Sequence, residues 1–131
     1  MSEAQPPVDL EVPARPEYVR LVRLVVGSLA ASRRDLDDDR VEDLRLAVNE
    51  ACTLAVGETT DGRLRVVCSE EPDAFVVDVF EGPEDSEGDE GDEGLAFALM
   101  RALVDEVRTV EEDGVRRLQL RVLCAPAPSW G

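Results

Sequence analysis

Few residues in this chain are equipped for chemistry, and their types narrow what that chemistry could be. All 14 basic residues are arginines; there is no lysine and no histidine. Without histidine there is no Ser-His-Asp relay and no histidine metal cluster, and without lysine no P-loop lysine and no Schiff base. Carboxylate chemistry, guanidinium recognition and three thiols are left. The carboxylate with a setting is Glu50 in "DLRLAVNEACTLAVGE" (43–58), beside the apolar stripe of a helix-patterned segment. One turn on, position 54 is a leucine, which offers no lone pair to a metal or a ligand. The thiols of Cys52, Cys68 and Cys124 form no C-x-x-C pair and are odd in number. They read as small buried thiols in a reducing compartment rather than a disulfide framework.

Charge sets the second limit. The formal net charge is −16 over 131 residues. A chain of that sign repels nucleic acid, whose affinity for proteins comes mainly from neutralised phosphates, so no direct nucleic-acid partner is expected and a basic protein surface is favoured. Half of the excess lies in residues 81–93, "EGPEDSEGDEGDE", with eight acids and no base. So polar a run cannot bury itself and is expected to form a mobile loop. Its acids lack the alternating oxygen register of an EF-hand, so no metal site is expected there. No apolar run reaches the length of a membrane span, and the opening "MSEAQPPVDL" lacks the basic and apolar regions of a leader, so a cytoplasmic protein is expected.

The elements that must position these residues follow from periodicity. "VDLEVPA" (8–14) alternates as a short strand. A helix spans 15–34, with Pro16 at its first turn and Val19, Val22, Val25, Val26 and Leu29 at helical spacing. Arg20 and Arg23 lie off that stripe. The acids of "DLDDDRVEDL" suit the start of a second helix, which runs to about Val56 on a stripe of Val41, Leu44, Val48, Ala51 and Ala55. Residues 62–70 and 73–81 form a hairpin, 95–107 a third helix, and 107–123 a hairpin around Asp113-Gly114. The order β-α-α-β-β-loop-α-β-β predicts an α/β two-layer sandwich: a largely antiparallel sheet of about five strands covered on one face by three helices. One domain, 8–123, lies between a flexible N-terminus (1–7) and a C-terminal tail (124–131).

Three stretches carry a resemblance: "LEVPARPEYVRLVRLVVGSLAA", "EDLRLAVNEACTLAV" and "EGLAFALMRALVDEVRTV". In order and spacing they resemble the RsbW-type anti-sigma factors, serine kinases of the GHKL (histidine-kinase-like) ATPase superfamily. The resemblance implies the Bergerat-type sandwich drawn above. It also implies a protein that sequesters an RNA polymerase sigma factor until a STAS-type anti-anti-sigma factor releases it, and that phosphorylates that antagonist with ATP. It places nucleotide between the second helix, a glycine-containing loop and the third helix, and it implies a tendency to homodimerise.

Against the family's pattern the boxes are incomplete. Glu50 matches the base, but Leu54 stands where an asparagine holds magnesium. Aligned on Glu81-Gly82, Phe80 occupies the place of the aspartate that receives the adenine amino group; aligned on Asp78, it occupies that of the first glycine. Gly82 and Gly94 remain from two glycine boxes, and Ala96 replaces the glycine that would follow at the phosphate-holding helix start. The acidic run would lie beside a polyphosphate, within a Debye length of about 8 Å. The reading is an anti-sigma factor whose kinase activity is weak or lost, with no cofactor; ATP and magnesium enter only under the alternative, a working protein-serine kinase with Glu50 as base. An adaptor with an unrelated partner is a third reading. Arg23, and less centrally Arg20, are the expected partner contacts.

Overall fold

The computed structural model describes residues 6–33, 35–59, 61–83 and 90–124. Five strands and three helices alternate as β1 (Val8–Pro13), α1 (Pro16–Ala31), α2 (Asp38–Glu58), β2 (Arg63–Glu71), β3 (Ala74–Pro83), α3 (Glu90–Leu103), β4 (Glu106–Glu112) and β5 (Val115–Leu123). The strands form one sheet in the order β1-β2-β3-β5-β4, with every neighbouring pair antiparallel. The helices cover one face, as the expected two-layer sandwich requires.

Local chemistry accounts for most of the boundaries. Pro16 opens α1, where its missing N–H costs nothing. Asp37 caps α2: its carboxylate accepts from the Arg40 N–H at 2.8 Å, and Asp38 and Asp39 follow in the first turn. Asp113 and Gly114, at φ 54° and 75°, make the tight β4–β5 turn that this pair of residues favours. Val22, Val26, Leu44, Val48, Phe75, Val77, Leu118 and Leu120 form the fully buried centre between helices and sheet. The stripe expected on α2 is buried throughout, whereas Val25 and Leu29 of α1 are only half-buried.

The acidic run departs from the expectation of a loop over 81–93. Its first three residues extend β3 to Pro83, and its last four are the first turn of α3, which begins at Glu90 rather than at residue 95. Acids favour a helix N-terminus, so the same residues that read as solvated loop also suit the start of a helix. Residues 84–89 lie outside the described residues, as do 1–5 and 125–131. The third helix also ends earlier than expected, at Leu103. The Val104 N–H closes its last turn on the Met100 carbonyl at 3.0 Å, and the β-branched residues Val107, Thr109 and Val110 then pair as edge strand β4.

Candidate functional site

α2 is the middle helix of the layer, packed against α1 on one flank and α3 on the other. The α1 flank is fixed by Gly27, where an added Cβ would stand 2.8 Å from Arg45 Cδ. At 3.6 residues per turn Arg45, Asn49 and Val56 share that flank, while Asp43, Ala47, Glu50 and Leu54 lie along the opposite one, toward α3. Glu50 and Leu54 are both half-buried there, and Leu54 packs against the hydrophobic core. The structure thus brings together the two residues that the sequence singles out, one turn apart on one edge. That edge offers one carboxylate and one aliphatic side chain.

At the end of β3, Phe80 faces away from the helix layer. Strand alternation turns Phe75, Val77 and Val79 into the core, so Val76, Asp78 and Phe80 point to the sheet face away from the helices. There the Phe80 ring lies between two guanidinium groups, Arg65 at 4.7 Å and Arg117 at 5.9 Å. Arg117 Nε also donates to Asp78 Oδ1 at 3.0 Å. A ring on that face does not fill a pocket between the helices. The residue that sequence reasoning missed is Glu81. Phe80 pairs with Arg117 and Gly82 with Arg116, so Glu81 is the extra residue of a β-bulge. It is only 5% exposed, the one charged residue in the buried class among those described. The Gly-Pro that follows it was the available signal, since both residues concentrate where a ladder breaks.

The glycine of the last box is also placed differently from the expectation. Gly94 is the fifth residue of α3, and Ala96 is buried within the helix. A helix leaves its first four N–H groups free, so the amide of Gly94 is already used by the helix, and the free amides belong to the turn that begins "EGDE". Among the described residues no group of three His, Cys, Asp or Glu is placed to hold a metal ion. Burial pushes the thiols of Cys52 and Cys68 up to about 12, which leaves both unreactive at neutral pH.

Arg20 and Arg23 stand on α1 with no hydrogen bond or ion pair among the described residues; Arg20 is exposed and Arg23 half-buried. Leu21 and Leu24 beside them are 45% and 52% exposed. Between α1 and α2 lies a hollow of about 160 Å³ lined by Pro16, Val19, Asn49, Thr53 and Val56. It is on the α1 flank of α2, away from Glu50 and Leu54. No described helix is long and apolar enough to cross a membrane.

Known proteins share this architecture and sequence. Residues 12–122 match the family described as "Histidine kinase-like ATPase domain". The chain is 35% identical over 129 residues to the protein named "Serine-protein kinase RsbW" of Bacillus subtilis (strain 168), covering 82% of this chain and 80% of that protein. It is 31% identical over 132 residues to the protein of the same name from Staphylococcus aureus (strain JH9), covering 82% and 81%. A crystal structure of the RsbU and RsbW domains of Rv1364c from Mycobacterium tuberculosis has the same fold, with a TM-score of 0.69 at 24% identity. That match covers 94% of this chain and about a third (34%) of the other. The family match over most of the chain and the identity to the RsbW proteins agree: the chain belongs to the RsbW-type branch of the histidine kinase-like ATPase family.

Proposed function

We propose that this protein is an anti-sigma factor that acts by binding, in the cytoplasm, with a weak or absent kinase activity. Its partners are a sigma factor and an anti-anti-sigma protein that competes for the same molecule. The observation that carries the reading is the α2–α3 edge, where Leu54 packs against the core one turn from Glu50. Magnesium binds through oxygens, in near-ideal octahedral geometry, and an aliphatic side chain leaves that ligand missing. The added first turn of α3 works in the same direction. It moves the free helix amides four residues ahead of Gly94 and sets them among acidic residues, where a polyphosphate would be repelled. The residues present do not suit Mg-ATP, and no catalytic step is assigned to them.

Calorimetric titration with Mg-ATP tests the reading. Dissociation in the millimolar range or weaker, about −4 kcal/mol, is expected. Micromolar binding would replace it with the active kinase, in which Glu50 is the base, since the named relatives are serine-protein kinases. Binding without nucleotide is the second half of the reading, and Arg23, which makes no ion pair among the described residues, supplies the handle for it. Arg23→Ala is expected to weaken sigma-factor binding by about 1–3 kcal/mol, and Arg20→Ala by less, with the melting temperature of each variant nearly unchanged. A collapsed melt for the Arg23 variant would make it structural. Equal affinities would move the interface off α1.

A further inference from the structure

The hollow between α1 and α2 has a polar complement of its own. The two helices run antiparallel: Gly27 meets Arg45, while Pro16 and Val19 lie across from Asn49, Thr53 and Val56. About three turns from the close approach at Gly27, the seam opens into the hollow of about 160 Å³. Pro16, Val19 and Val56 make its apolar wall, and the exposed Thr53 stands at its rim. None of the described residues that line it is charged.

Two polar side chains, one turn apart on α2, complete the lining. Asn49 is half-buried, and its side chain makes no hydrogen bond among the described residues, so its NH2 group and its carbonyl are both available. The Thr53 hydroxyl donates to the Asn49 backbone carbonyl at 2.7 Å. Its hydrogen is committed to the helix, so toward a ligand its oxygen can only accept. The lining therefore offers one kind of donor, Asn49 Nδ2, and two acceptors, Asn49 Oδ1 and Thr53 Oγ1, beside an apolar wall. A few placed polar groups on a mostly apolar surface is the usual make-up of a small-molecule site.

We infer that the hollow is a binding site for a small, neutral aromatic carboxamide. An apolar cavity of about 150 Å³ holds one benzene ring, so a single six-membered ring matches the space beside Pro16, Val19 and Val56. A primary carboxamide on that ring carries one carbonyl and two N–H groups. The carbonyl accepts from Asn49 Nδ2, one N–H donates to Asn49 Oδ1, and the other donates to Thr53 Oγ1. A carboxylate in its place loses both donors, brings a charge to a lining with no cation, and meets the repulsion of a chain of charge −16. A bare ring leaves the Asn49 amide covered and without a partner. The hollow lies on the flank of α2 away from Glu50 and Leu54, so this inference stands or falls apart from the nucleotide and sigma-factor readings.

The test titrates the full chain, labelled with nitrogen-15, with benzamide, benzoate and toluene in turn. Asn49 is the only asparagine, and Gln5 and Gln119 carry the only other side-chain amides, so the Asn49 NH2 pair is a clean reporter in the NMR spectrum. Benzamide is expected to shift that pair saturably, with dissociation at about 1 mM, ordinary for a ligand of this size. Benzoate and toluene, followed at the backbone amides of Val19 and Val56, should bind at least about tenfold more weakly. Asn49→Leu keeps the volume and removes the amide. It should weaken benzamide about tenfold and leave toluene no weaker. Val56→Phe fills the hollow and should abolish binding of both, with a melting curve confirming that each variant is folded. Unmoved Asn49 side-chain signals, benzoate or toluene bound as tightly as benzamide, or wild-type benzamide affinity in Asn49→Leu overturns the inference.

Discussion

Arg33 shows how much one guanidinium can organise. At the end of α1 it donates to the carbonyls of Glu71 at 2.8 Å and of Pro72 and Ala74 at 3.3 Å, and grips Asp35 with two bonds of 3.0 and 2.9 Å. Its side chain is 12% exposed, so those carbonyls have little water to replace it. Arg33→Ala is expected to cost about 2–4 kcal/mol in a urea unfolding titration, because charged hydrogen bonds are lost and the β2–β3 turn is left unsatisfied. A loss under about 0.5 kcal/mol, the range of an ordinary surface change, would show that water takes over the turn. The pair also has a sign in pH. The Arg33 hydrogen bond holds the Asp35 carboxyl below its ordinary 3.8, so its contribution is complete above about pH 4 and disappears as pH falls through the lower folded value. None of this was legible in "SRRD", because the carbonyls it serves lie about 40 residues away on another element.

At the scale of elements, α2 was the most legible part of the chain and the end of β3 the least. The α2 stripe and its Asp37 cap are local, so the sequence displays them. The β-bulge at Glu81 depends on the count of residues in β5, which no local pattern contains. The Asp113-Gly114 turn lies between these cases: a two-residue signal that suffices because the turn type dictates it. The start of α3 was missed because eight acids read equally as loop and as helix N-terminus. These facts set what one substitution on α2 can do. Leu54→Asn returns an oxygen ligand to the position one turn from Glu50, but it withdraws a leucine from the core and half-buries an amide. A loss of about 1–3 kcal/mol in stability is expected. Affinity for Mg-ATP should rise by less than about tenfold, since the α3 amides stay displaced and the acids remain. A return to micromolar binding would mean that Leu54 alone separates this site from a working one.

For the whole molecule, the placement of charge matters more than its total. The sheet face turned away from the helices is internally paired. Arg65 holds Asp9 at 2.7 Å and Arg63 holds Glu11 at 3.1 Å. Arg117 bridges Asp78 and Glu112 at 3.0 and 2.9 Å, and Arg121 bridges Glu71 and Glu106, both at 3.1 Å. On that face Val76, the ladder partner of Arg121, is only 2% exposed. With so many acids matched there, the uncompensated charge falls largely to the helix layer and to residues 81–93. Salt then acts in two opposite directions. It weakens exposed ion pairs, each worth about 0–1 kcal/mol, and it screens the mutual repulsion of the excess acids. Two like charges about 20 Å apart in water repel by about 0.2 kcal/mol, and an excess of 16 makes on the order of a hundred such pairs. At about 0.15 M salt the screening length of about 8 Å removes most of that repulsion, whereas pairs in contact at about 3 Å keep most of their attraction. The folded chain holds the excess closer together than the unfolded one, so relief of repulsion favours folding. Raising NaCl from low millimolar to physiological strength at pH 7 is therefore expected to raise the melting temperature by several degrees. A flat or falling melting temperature would mean that the paired sheet face, rather than the excess charge, governs how this protein responds to salt.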